Sequence, residues 1–406
     1  MQADYRLGNG LRLHCYRNSS KYVSAALVLR SCEILNHSGL AHILEHTSFT
    51  GAAGNYSAKD LKRRHRTFIQ DSSATTSPGR LEWYASFLTR YSSEAIELLA
   101  ITSLDQKCDI GTVESEARVV LQELLLDKHS GDGEIRRRFN AALYGNDHPY
   151  GLDSLDAEIA KVSIPASELA KELKEYANLI RQPANMDLVL VGDVEPLEIC
   201  KLAEQSFGRY PRAQGPVLEL PRAHPTRAYR SFEGLSGELG RPLSEIRIGW
   251  NTGVTVNDPE ARVLLALGDY MNDVIFSEVR EKYGAAYSPE AHYEPDGCSG
   301  IFTIAATTSK GSEVVEQRIF STIERLKTHI DPLELSLHKE RWELKRLKTA
   351  ESNGSMLDCL VARVVEGCAA EDLDIETVSP NEMIEAARKY LPFYKGAYVR
   401  VTLQGL

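Results

Sequence analysis

The chain has 406 residues, with 47 lysines and arginines against 57 aspartates and glutamates, a formal charge of −10. That length exceeds what one hydrophobic core usually serves, so two domains are expected, and the acidic balance speaks against a nucleic-acid binder, which needs a basic stripe for phosphate contacts. Apolar content of 43% is ordinary for a globular protein, and no run of about 18 apolar residues is present to span a membrane.

The seven cysteines are odd in number and irregularly spaced, with no C-x-x-C, which reads as reduced, mostly structural thiols. Residues Met1–Ser20 contain no apolar h-region, so no secretory signal is expected and the predicted location is cytoplasmic.

Two strand-like runs open the chain, near Leu11–Tyr16 and Val23–Leu29. An amphipathic helix follows over Gly39–Phe49, then a short one near Ala58–Arg64. Ser72–Ser77 is polar and β-prone and ends at the turn signal Pro78-Gly79; Leu81–Leu88 reads as a strand and Ser93–Leu104 as a helix. Thr112–Asp127 is a longer helix, with Val119, Val120, Leu124 and Leu126 as its apolar face. Met186–Val194 is a strand, and a helix runs from Pro196 to about Gln205. Prolines and glycines between Gly208 and Pro242 break any regular pattern and mark a linker.

The second half repeats the plan. A strand at Ser244–Trp250 precedes a helix at Pro259–Lys282, strands at Ala286–Tyr293 and Gly300–Thr307, helices from Ser312 to about Cys368, and a closing strand at Tyr398–Leu403. The expected organisation is residues 1–210 as a first domain, 211–242 as linker and 243–406 as a related second domain. Each domain is of α+β class, a mainly antiparallel sheet covered by helices, compatible with a divergent duplication.

Within the helix Gly39–Phe49, His42, Glu45 and His46 form H-x-x-E-H. Residues four apart project from one helix face, so the two imidazoles can share a metal ion, and Glu45 lies on nearly the same face, placed to take a proton from water. A catalytic zinc needs a third protein ligand and an open fourth position. In the helix Thr112–Asp127, Glu116 and Glu123 are two turns apart on one face, and a cation would offset the cost of carboxylates set near a core boundary. The alternative for such a pair is an ordinary solvated acidic face.

These residues resemble the zinc-site signature of the pitrilysin, insulin-degrading and mitochondrial-processing peptidases, carried here by G-L-A-H-I-L-E-H-T-S-F-T-G at Gly39–Gly51. In that family the second glutamate of E-x6-E completes the metal site; by resemblance Glu123 is the third ligand of a Zn2+ ion and Glu116 a supporting carboxylate. N-M-D-L-V-L-V-G-D-V at Asn185–Val194 is similar to the strand that closes the family's first domain. Arg280 to Tyr287 is similar to the family's R-x6-Y, whose arginine and tyrosine reach substrate from the second domain. The family usually carries N-A-x-T beside the metal; Ser73-Ala74-Thr75-Thr76 stands here, with serine for asparagine.

The resemblance implies the short two-domain bacterial-type form, half of a clamshell, whose second domain holds substrate without metal. The expected activity is a zinc-dependent endopeptidase acting on peptides enclosed in a chamber, with Glu45 as general base. Tyr287 would donate to the developing oxyanion and Arg280 would hold substrate carbonyl or carboxylate groups. Tyr287 also has a plainer reading as a half-buried strand residue. The metal motif and R-x6-Y on one chain favour a homodimer, with a heterodimer of related subunits open. The different-class alternative is a non-catalytic subunit of an assembly, which some members of this superfamily are.

Overall fold

The computed structural model describes residues 2–30, 39–212, 220–240 and 242–406. The first half runs β1 (Gln2–Arg6), β2 (Arg12–Arg17), β3 (Tyr22–Leu29), α1 (Leu40–Thr47), α2 (Ala58–Phe68), β4 (Asp71–Ser77), β5 (Arg80–Leu88), α3 (Ser92–Leu104) and α4 (Ile110–His129). It continues with α5 (Gly131–Tyr144), α6 (Leu155–Val162), α7 (Ala166–Ile180), β6 (Met186–Gly192) and α8 (Pro196–Phe207). The second half runs β7 (Arg230–Ser236), β8 (Ser244–Asn251), α9 (Ala261–Ile275), β9 (Glu290–Pro295) and β10 (Gly300–Thr308). After these come α10 (Ser312–Leu326), α11 (Pro332–Glu351), α12 (Asn353–Glu366), α13 (Pro380–Tyr390) and β11 (Val399–Gly405).

The strands form two sheets, ordered β1-β2-β6-β3-β5-β4 and β7-β11-β8-β10-β9. Leaving aside β1, both share one topology. The first strand pairs in parallel with the last, β2 with β6 and β7 with β11, and every other neighbour is antiparallel. The α+β class with mainly antiparallel sheets is therefore as expected, and both sheets carry the same plan.

Several elements differ from the sequence reading. The stretch 211–242, read as linker, contains the edge strand β7; residues 213–219 and 241 of that stretch lie outside the described ones. β7 is mostly exposed and includes Gly234, so it shows no apolar alternation; its parallel partner β11 supplies the pairing. The strand expected from Ala286 begins at Glu290, and the helix expected to Lys282 leaves α geometry at Phe276 for a π-helical turn. In α4 the buried face is Val113, Ala117, Val120 and Leu124, while Val119 and Leu126 face outward. β1, α5, α6, α7 and α13 are additional.

The compact units are discontinuous in sequence. One comprises Met1–Leu125, Ser154–Leu220 and Thr349–Val365; the other comprises Leu126–Asp153, Pro221–Lys348 and Glu366–Leu406. The division follows from a simple requirement: a central strand is apolar on both faces and both must be covered. In β3, Val23, Ala25, Leu27 and Leu29 join the main core of the first unit. Ala26 and Val28, with Val189 and Val191 of β6, pack instead against Met356, Leu357, Leu360 and Val361 of α12. In the second unit the roles are exchanged: Val399, Val401 and Leu403 of β11, with Ile301, pack against Ile135, Phe139, Ala142 and Leu143 of α5. Gly249 of β8 admits that helix, because a Cβ there would lie 2.5 Å from the Phe139 ring. Each sheet thus receives one covering helix from the sequence of the other half.

Among the described residues no helix is long and apolar enough to cross a membrane. Cys15, Cys108, Cys200 and Cys298 are free thiols, and burial pushes Cys15 and Cys298 up to about 12, which keeps them unreactive.

One polar group interrupts the buried strand β6. Asp187 is fully buried and accepts from Arg12 (2.6 and 2.7 Å) and Arg30 (2.8 Å), with His14 Nε2 at 3.0 Å. Burial alone would raise its pKa, but these partners outweigh burial and hold it well below the ordinary carboxylate range.

Two outcomes are expected. Leu360→Ala should destabilise the first unit by about 2–5 kcal/mol, seen as faster amide exchange in β3 and β6 with β8 and β11 unchanged; faster exchange confined to the second sheet would contradict the assignment of α12. A depressed carboxyl pKa stabilises the fold above the unfolded value of about 3.9 and loses that contribution as pH falls below it. Asp187→Asn should therefore cost about 3 kcal/mol at neutral pH and flatten the acid limb of the stability profile, whereas an unaltered limb would remove Asp187 as its source.

Candidate metal centre

Helix α1 starts at Gly39, whose φ of +86° is left-handed backbone that glycine adopts without strain. Leu40, Ala41, Ile43, Leu44 and Thr47 face the core, which leaves His42, Glu45 and His46 together on the opposite face. The C-terminal end of the helix is tied down by buried hydrogen bonds. Trp83 Nε1 of β5 donates to Ser48 Oγ at 2.9 Å, and Gln106 Nε2 donates to Thr47 Oγ1 at 2.7 Å. Neither donor is near α1 in sequence, so the sheet and the α3–α4 connection both fix its position.

The two imidazoles stand one turn apart, with ring centroids at 5.0 Å. Their Nε2 atoms converge on one oxygen of Glu123 from α4: His42 Nε2 lies 3.5 Å from Glu123 Oε2 and His46 Nε2 lies 3.3 Å from it. Among the described residues His42, His46 and Glu123 are the group whose ligand atoms cluster, all within 4.8 Å of one another. A tetrahedral zinc with bonds of 2.0–2.1 Å separates its ligand atoms by about 3.3 Å. Two nitrogens and a carboxylate oxygen at these spacings fit such an ion.

The far side of each ring faces another carboxylate. His46 Nδ1 is 3.5 Å from Glu116 Oε2, and His42 Nδ1 is 3.8 Å from Glu158 Oε2. The side chain of Glu123 is about half exposed, 49%, whereas Glu116 and Glu158 are largely covered at 14% and 17%. Burial opposes a proton on His42, but the Glu158 carboxylate and the charges of Glu45 and Glu123 outweigh it and raise the His42 pKa. Glu45 lies on the same face outside this cluster, and its Oε2 accepts from Thr76 Oγ1 at 2.6 Å, on strand β4, the edge of the first sheet.

Glu158 was not among the residues singled out from the sequence. Its signal was present in α6, where Leu155, Glu158, Ile159 and Val162 share one face and Leu155 and Val162 are buried, so a carboxylate interrupts an apolar stripe. Arg280 and Tyr287 belong to the second unit. The Arg280 guanidinium lies 5.0 Å above the Tyr287 ring, and Tyr287 is 74% exposed and precedes β9. The half-buried strand reading of Tyr287 therefore does not hold.

Residues 31–147 match the model described as Insulinase (Peptidase family M16), and residues 169–341 match the Peptidase M16 inactive domain. An uncharacterized zinc protease, YmxG, of Bacillus subtilis (strain 168) is 25% identical over 79% of this chain and 76% of its own length. The mitochondrial-processing peptidase subunit beta of Blastocladiella emersonii is 25% identical over 52% of this chain and 45% of its own length. A protease from Helicobacter pylori has the same fold, with a TM-score of 0.87, 19% identity and coverage of 100% of this chain and 99% of that one. The chain carries domains of the peptidase M16 family, the insulinase and pitrilysin-like peptidases.

Proposed function

We propose that the chain is a zinc-dependent endopeptidase, with His42, His46 and Glu123 as metal ligands and Glu45 as general base. The observation that carries this reading is the convergence of two Nε2 atoms on Glu123 Oε2, at 3.5 and 3.3 Å, beside a carboxylate that is not part of the cluster. When bound, the ion would supply a Lewis acid for the scissile carbonyl and for an attacking water.

The protein's own groups do the rest. Glu45 takes the proton of the water and passes it to the leaving amine, and Thr76 holds one of its oxygens so that the other is free to do so. Strand β4 is the edge of its sheet, and an extended peptide added there would be bound through backbone groups, so serine at Ser73 does not prevent it. Arg280 holds substrate carbonyl or carboxylate groups, and Tyr287, whose ring it covers, donates to the developing oxyanion. Because the cluster and the R-x6-Y pair lie on one chain, the assembly is read as two copies enclosing a chamber that admits peptides.

Wild-type protein should contain one zinc per chain and His46→Ala none; full zinc in that variant would defeat the ligand assignment. Glu45→Gln should retain zinc and lose about 10²–10⁴-fold in peptide turnover, and near-normal turnover would remove Glu45 from the chemistry. Since Tyr287 is exposed, Tyr287→Phe should lower turnover while zinc content and melting temperature stay as they are. Unaltered kinetics would exclude the donor role.

A further inference from the structure

The carboxylates around the two histidines are arranged in a way the ligand set does not require. Each imidazole is held between Glu123 at Nε2 and a separate acid at Nδ1, Glu116 for His46 and Glu158 for His42. A neutral imidazole that offers one nitrogen to a metal carries its proton on the other, and the acceptor of that proton fixes tautomer and ring orientation. Glu116 lies on α4 together with Glu123, whereas Glu158 comes from α6, a separate helix 35 residues further along.

Glu158 is itself held. Ser154 Oγ donates to Glu158 Oε1, which leaves Oε2 to face His42. Helix α6 also rests against the start of α1, because a Cβ on Gly39 would lie 3.4 Å from Glu158 Cα. A carboxylate on an apolar helix face costs free energy unless it meets a partner, and His42 is an ionisable partner that its second oxygen faces. At 3.8 Å the contact lies just outside hydrogen-bond range.

We propose that Glu158 is a positioning residue for the metal centre: it accepts the Nδ1 proton of His42, closes to a hydrogen bond when Nε2 engages zinc, and thereby orients His42 for the ion. The inference rests on the zinc reading above and adds to it a residue from a third helix.

Zinc affinity of the full chain, measured by competition with a chromogenic chelator, tests it without reference to activity. Glu158→Ala should weaken zinc by about 10–100-fold with the melting temperature of the metal-free protein unchanged. Glu158→Gln, whose amide oxygen can still accept the proton, should recover part of that loss, and Ser154→Ala should show a smaller loss than Glu158→Ala. A loss below tenfold in Glu158→Ala, a Glu158→Gln variant as weak as Glu158→Ala, or a loss accompanied by a lower melting temperature would overturn the proposal. Wild-type protein without stoichiometric zinc would defeat the zinc reading and this inference together. Zinc retained by wild type, lost in His42→Ala and unaltered in Glu158→Ala would defeat this inference alone.

Discussion

Two imidazoles one helical turn apart can share a partner only if the helix that carries them cannot rotate. A rotation of α1 by one residue, about 100°, would carry His42 and His46 away from Glu123 and bury charge against the core. Five apolar or small side chains on the opposite face of α1 resist that rotation, and the bonds from Trp83 and Gln106 resist a shift along the axis. The short distances from Nε2 to Glu123 Oε2 are therefore a product of packing. Once α1 is fixed, α4 has to present Glu123 and Glu116 two turns apart, and its buried face of Val113, Ala117, Val120 and Leu124 sets that presentation.

The same accounting of faces explains how the chain is divided. Both sheets contain central strands apolar on each side, and each needs a second helical layer. The second layer is supplied reciprocally, α12 to the first sheet and α5 to the second, and both follow a 20-residue helix, α4 and α11. Apart from the extra edge strand β1, the same strand order, the same parallel and antiparallel pattern and corresponding helix donation make each unit a copy of the other's plan. The clustered histidines and Glu123 belong to the first unit only.

What could be read from the sequence follows physical lines. H-x-x-E-H was legible because spacing on one helix fixes relative direction, and the pair Glu116 and Glu123 because a second helix carried acids at two-turn spacing; the choice of Glu123 over Glu116 came from the family resemblance alone. Strand β3 was legible as a continuous apolar run. Strand β7 was not, since an exposed edge strand leaves no periodic trace and its pairing is supplied by β11. The exchange of α5 and α12 was not legible either: an amphipathic helix states that it needs an apolar surface but not which one. Glu158 lies between these cases, a carboxylate in the apolar stripe of α6 that only acquires meaning beside His42.

In the proposed centre two histidine nitrogens and one carboxylate form a zinc site of nitrogen and oxygen ligands. Zinc K-edge X-ray absorption of the purified wild-type chain tests it directly. The expected result is a first shell of light atoms at about 2.0–2.1 Å, with outer-shell scattering from two imidazoles and no sulfur. A sulfur shell near 2.3 Å would move the metal to the cysteines, and a spectrum lacking imidazole scattering would contradict the assignment of His42 and His46.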